Sequence, residues 1–96
     1  MYILHFASSF SPSYKALIKG NKKFEKRADK ALRLLKSNPF YPSLKSHKVN
    51  TRNFGEKWSS WITSDIRIIW DFNKAEAQII LLFAIAKHSG SHREYK

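Results

Sequence analysis

Residues 56–72 read Glu-Lys-Trp-Ser-Ser-Trp-Ile-Thr-Ser-Asp-Ile-Arg-Ile-Ile-Trp-Asp-Phe. Two runs of β-branched and aromatic residues flank Ser64 and Asp65, which is the pattern of a tight hairpin. Pairing outward from a two-residue turn sets Thr63 against Ile66, Ile62 against Arg67, Ser60 against Ile69 and Trp58 against Asp71. Side chains alternate between the two faces of a strand. One face would then carry Trp61, Ile66, Ile68, Trp70 and Phe72 as a core face. The other would mix Trp58, Ser60, Arg67 and Asp71 with Ile62 and Ile69, polar chemistry on apolar support, and is the expected site face.

Outward from the hairpin, residues 2–6 read as a first strand, and Ser8, Ser9, Ser11 and Pro12 as turn and helix-start residues, with a first helix from about Ser11. Gly20 and Asn21 stop that helix and start a second over residues 21–36. Phe24, Ala28, Ala31, Leu32 and Leu35 form one apolar stripe on it, so this face is expected to pack on a sheet. The other side carries Lys22, Lys23, Lys26, Arg27, Lys30, Arg33 and Lys36, interrupted only by Glu25 and Asp29. Pro39 and Pro42 end the helix, because proline disfavours helical geometry in the residue before it. Residues 44–55 read as a basic loop or short irregular strand, and residues 73–77 as a turn. Residues 78–86 form a near-continuous apolar run, expected as a strand buried on both faces. The order predicts an α+β fold, β-α-α-β-β-β, with two N-terminal helices on one small antiparallel sheet.

Ninety-six residues supply one small core, so residues 1–96 are expected to form a single domain. The chain has no cysteine, which removes disulfides and thiolate metal sites and suits a reducing cytoplasm. No apolar run reaches membrane-spanning length and the first residues lack the basic lead of a signal peptide, so a cytoplasmic protein with no membrane partner is expected. The net charge of +11, from 18 Lys and Arg against 7 Asp and Glu, points to a polyanionic partner. Releasing counterions from phosphates drives such binding without any sequence readout.

Three segments carry a resemblance to the RelE/ParE superfamily of bacterial type II toxins, closest to the RelE and YafQ-like mRNA interferases. Residues 44–49, Leu-Lys-Ser-His-Lys-Val, resemble the basic segment after that family's second helix. Residues 58–72 resemble its central hairpin, with Arg67 in the place of the strand arginine, and residues 79–95 resemble its last strand and basic-aromatic tail. The resemblance implies a RelE-like fold and a ribosome-dependent endoribonuclease. Such an enzyme cuts mRNA in the decoding site without a metal or other cofactor, by attack of a ribose 2′-OH on the adjacent phosphate. It also implies a cognate antitoxin as partner, through which a toxin–antitoxin complex would bind operator DNA.

Residue by residue, the resemblance assigns catalysis to Arg67, His88, His92 and Tyr95. Arg67 would grip the phosphate; either His88 or His92 would move a proton; Tyr95 would stack on a base or position the 2′-OH. Lys45, His47, Lys48, Trp58, Ser60, Lys87 and Arg93 are expected to contact RNA. The sequence departs from RelE in one respect: Trp58 and Ser60 stand where RelE carries a pair of lysines, so that proton transfer either falls to histidines, as in YafQ-like members, or is missing. A structural alternative for Arg67 is a pair with Asp71 on the same face. Two other functions fit the resemblance, a ParE-like protein that poisons DNA gyrase and a homologue that only binds antitoxin or nucleic acid.

Overall fold

The path of the chain is set by where its apolar faces can meet. In the computed structural model, which describes residues 1–87, β1 (Ile3–Phe6) leads into α1 (Phe10–Ile18) and α2 (Lys22–Ser37). A single 3-10 turn (Pro42–Leu44) follows, then β2 (His47–Thr51), β3 (Gly55–Trp61), β4 (Ile66–Phe72) and β5 (Ile79–Lys87). Gly20, at φ +69°, gives the break between the helices the left-handed geometry that a side chain resists. Asn21 then caps α2 by accepting from the Phe24 amide at 2.9 Å.

The two helices lie on one face of a five-stranded sheet in the order β1-β5-β4-β3-β2, the expected helical layer on a sheet. Two features differ from the sequence reading. Residues 47–51 form a regular edge strand against β3, and β1 runs parallel to β5, so the sheet is mixed. Because β1 leaves into the helical layer and not into a hairpin, no tight turn requires it to run antiparallel. Its register sets Leu4 against Ile80 and Phe6 against Leu82.

Phe24, Ala28, Ala31 and Leu35, four of the five stripe residues, are buried along α2. The main core joins Leu35, Ala31 and Phe10 of the helices to Ile68, Trp70, Ile80, Leu82 and Ile85 of the sheet, with Leu44 sealing one end. A register shift opposite Ile69 and Trp70 leaves an extra residue in β5. The first helix answers it: Ser9 Oγ donates to the Phe83 carbonyl at 2.6 Å and Ser13 Oγ accepts from the Ile85 amide at 3.0 Å.

The hairpin differs from expectation by one residue. Thr63 and Ile66 do face each other across the turn, with N–H to O=C distances of 3.2 and 3.3 Å in the two directions. The Ile66 carbonyl, however, also accepts from the Ile62 amide at 2.8 Å, so the ladder leaves the turn one step out of phase. The observed partners are Trp61 with Arg67, Ser60 with Ile68, Ser59 with Ile69 and Trp58 with Trp70. With a side-chain period of two, one step exchanges the whole face of β3. Trp58 and Ser60 thus lie under the helices with Trp70, while Trp61 joins Arg67 on the helix-free face.

This arrangement repairs an otherwise costly burial. Trp70 is fully buried, and its indole N–H donates to Ser60 Oγ at 2.7 Å, which in turn lies 2.6 Å from Ser46 Oγ. Trp58 stacks on Trp70 at 5.7 Å and Phe40 meets Trp58 edge-on at 5.0 Å. Replacing Ser60 by alanine strands the indole donor, so Ser60→Ala is expected to cost about 1–3 kcal/mol in urea unfolding. A loss of under about 0.5 kcal/mol would show that Trp70 needs no acceptor there.

Candidate nucleic-acid interface

Arg67 sits on the helix-free face near the β3–β4 turn and is 6% exposed. Its Nη1 donates to the Thr63 carbonyl at 2.8 Å and also to the Ser64 carbonyl. The same guanidinium lies 4.4 Å from the centre of the Trp61 ring. Arg67 therefore ties down the turn whose phase put Trp61 beside it. Asp71 does not take the role of its structural partner. Four residues along a strand span about 13 Å, and Asp71 pairs instead with Lys57 at 3.7 Å.

The basic segment before β3 divides between the faces. Lys45 Nζ stands 5.2 Å from the Trp61 ring, so Trp61 receives cations from both Lys45 and Arg67. Lys45 adopts φ 48°, a left-handed geometry unusual for a side-chain-bearing residue, where the chain turns from the 3-10 turn toward β2. His47 pairs in register with Ser59, two residues before Trp61, and so shares the Arg67 face. Its Nδ1 is 2.9 Å from the Lys45 carbonyl. A carbonyl only accepts, so the proton lies on Nδ1 and the basic lone pair of the neutral ring lies on Nε2. Lys48 pairs with Trp58 on the helix side, its Nζ 5.2 Å from that ring.

Of the expected site residues, the structure gathers Arg67, Lys45 and His47 on one face and places Trp58, Ser60 and Lys48 on the other. Lys87 is exposed at the end of β5, paired with Ile66 near the same turn. His88, His92, Arg93 and Tyr95 lie outside the described residues. Trp61 is the residue that sequence reasoning assigned to the core and the structure places beside Arg67 on the helix-free face. Its signal was Thr63, whose Oγ1 accepts from the Asp65 and Ile66 amides at 3.2 Å each. A threonine turn of this kind marks a longer, bulged loop in place of a two-residue one.

Beyond this cluster the helix-free face joins an apolar patch, in which Ile69 and Ala86 are buried against Val49, Phe54 and Phe83, to the Lys57–Asp71 pair. Among the described residues no group of three or more His, Asp or Glu is placed to hold a metal, and no helix is long and apolar enough to cross a membrane. The cluster offers a fixed positive charge, an indole face and an imidazole with a defined basic nitrogen. These are the groups a phosphate, a base and a ribose hydroxyl would call on.

Removing Arg67 takes charged donors from two turn carbonyls, so Arg67→Ala is expected to lose about 1.5–3 kcal/mol of unfolding free energy. Asp71→Asn breaks only a partly exposed pair and is expected to lose under about 1 kcal/mol. A double-mutant cycle between the two should show no coupling beyond about 0.5 kcal/mol. Strong coupling would restore the Arg67–Asp71 pair.

No protein-family model matches the chain, and no curated protein matches it. Solved structures do. The YoeB/ParE toxin from Agrobacterium tumefaciens superposes with a TM-score of 0.70 at 17% identity, covering 90% of this chain and 98% of that one. YafQ from E. coli strain BL21(DE3) gives 0.68 at 14% identity, covering 93% and 96%. The YoeB–YefM complex from Staphylococcus aureus contributes a chain that matches with 0.67 at 19% identity, covering 92% and 98%. The chain shares with these toxins the fold of two helices on a five-stranded mixed sheet.

Proposed function

We propose that the protein is the toxin of a type II toxin–antitoxin pair and acts as an endoribonuclease on ribosome-bound mRNA. The observation that carries the reading is the Arg67–Trp61–Lys45 cluster, with His47 on the same face, in a chain of net charge +11. In the reaction the ribose 2′-oxygen bonds to the adjacent phosphorus and the bond from phosphorus to the 5′-oxygen breaks. A base removes the 2′ proton and an acid supplies one to the departing 5′-oxygen, leaving a 2′,3′-cyclic phosphate and a 5′-hydroxyl.

Arg67 carries its charge at a fixed place, so little reorganisation is needed as negative charge grows on the phosphate. Trp61 presents an indole on which a base can stack, and Lys45 adds charge at its rim. His47 Nε2 is suited to take the 2′ proton. The tail residues His88 or His92 and Tyr95 are proposed for the second proton transfer and for holding the nucleotide, with Lys87 and Arg93 on the RNA backbone. Placement under the helices favours structural roles for Trp58 and Ser60, while Lys48 stays exposed on the edge strand over the Trp58 ring.

The expected partners are the ribosome and an antitoxin. A protein whose positive charges outnumber its negative ones by 11 is matched by an acidic partner, and the antitoxin would carry any contact with operator DNA. The work is expected in the cytoplasm, where ribosomes and mRNA meet.

Induction of the wild-type chain should arrest growth and produce ribosome-phased mRNA cuts. Arg67→Lys keeps the charge but loses the guanidinium fork, so it should cut cleavage at least ~10-fold, with a melting curve showing that the chain is folded. His47→Gln should lower cleavage, again with a melting curve showing that the chain is folded. Arrest with intact transcripts and damaged DNA would contradict the reading and favour a gyrase poison.

A further inference from the structure

A cavity of about 250 Å3 opens between α2, the 3-10 turn and the end of β3, and its walls include Arg27, Lys30, Leu34, Ser43, Trp61 and Ile62. The first three recur at the spacing that shares one flank of a helix, beside the buried stripe of Ala28, Ala31 and Leu35. Two cations a turn apart repel by about 0.2–0.5 kcal/mol unless something relieves them. No carboxylate lines the cavity among the described residues. Trp61 is common to two places: it forms a wall here and carries Arg67 and Lys45 on the helix-free face. A chain crossing Trp61 would thus pass from the Arg67 cluster to the Arg27–Lys30 pair around the turn end of the sheet.

We propose that this cavity is a ribonucleotide subsite, which holds a phosphate of the substrate RNA strand away from the scissile position. The proposal rests on the reading that RNA crosses the Arg67 face. Arg27 offers a fork for two phosphate oxygens, Lys30 a point charge and the exposed Ser43 hydroxyl a neutral donor. Leu34, Ile62 and Trp61 form an apolar and aromatic wall for the ribose or base. Cations beside such a wall suit a nucleotide better than an acidic peptide, whose carboxylates have no use for the indole. The cationic strip on α2 then divides by function. Its flank toward β3 grips the strand, and outward members such as Lys22 and Lys26 contribute only general attraction.

The test uses the full-length chain and a short labelled oligoribonucleotide, with affinity followed by anisotropy across a salt series. Arg27→Gln/Lys30→Gln should weaken binding about tenfold at low salt, and should make the log–log salt slope shallower by about 0.7 for each phosphate left without its cation. Lys22→Gln/Lys26→Gln removes the same charge from the outer face and should change affinity under twofold. The wild-type Trp61 indole N–H resonance should move on titration with RNA. Equal effects of the two double variants, or a Trp61 resonance that moves with polyglutamate but not with RNA, would overturn the subsite. If Arg67-dependent mRNA cleavage occurs while Arg27→Gln/Lys30→Gln binds RNA normally, the subsite fails and the proposed function stands. If RNA binds at this cavity but is never cut, the proposed function fails and the subsite stands.

Discussion

The bonds from Arg67 to the carbonyls of its own turn are the constraint on which the site depends. They hold a loop in which the Ile66 carbonyl receives two amides, and that double acceptance sets the phase of β3 against β4. From the phase follow both halves of the sheet. On the helix side Ser60 reaches the Trp70 indole and Trp58 stacks on it. On the other side Trp61 comes under the Arg67 guanidinium. One turn thus decides the polar satisfaction of the core and the composition of the candidate site together. A guanidinium used in this way has a structural duty besides any catalytic one, and loss of function on its removal has to be read beside a stability measurement.

The elements themselves were legible in the sequence, because helix and strand periods differ and the punctuation was clear. Gly20 and Asn21 marked the helix boundary, the Phe24 to Leu35 stripe marked the packed face, and the apolar run in residues 78–86 marked an interior strand, on which Leu81 and Phe83 are nevertheless only half-buried. The parallel pairing of β1 was not legible, since nothing within four residues states which neighbour they will join. Nor was the regular pairing of β2, whose alternating Lys48, Val49, Asn50 and Thr51 read equally as a loop or a short irregular strand until β3 supplies the partner.

The faces of the hairpin were the largest difference. Arg67 lies on the face opposite the core, as its register predicted, but its companion there is Trp61 and not Trp58 or Ser60. The residues flanking Ser64 and Asp65 carry equal β character in either register, so strand propensity could not choose. The choice was made by hydrogen bonds of the turn, in which Thr63 supplies its hydroxyl as a backbone acceptor. The absence of lysines at Trp58 and Ser60, which looked like a gap in the chemistry, has a structural cause: those positions face the core.

The central claim is that this face serves to cut RNA by attack of the ribose 2′-OH. It is tested most directly by the chemistry of the ends left on transcripts after induction of the chain. The account predicts fragments with a 5′-hydroxyl on one side of each cut and a 2′,3′-cyclic phosphate or its 3′-phosphate hydrolysis product on the other, and their disappearance with Arg67→Lys. Cuts that bear a 5′-phosphate and a 3′-hydroxyl, or transcripts left whole while growth stops, would contradict it.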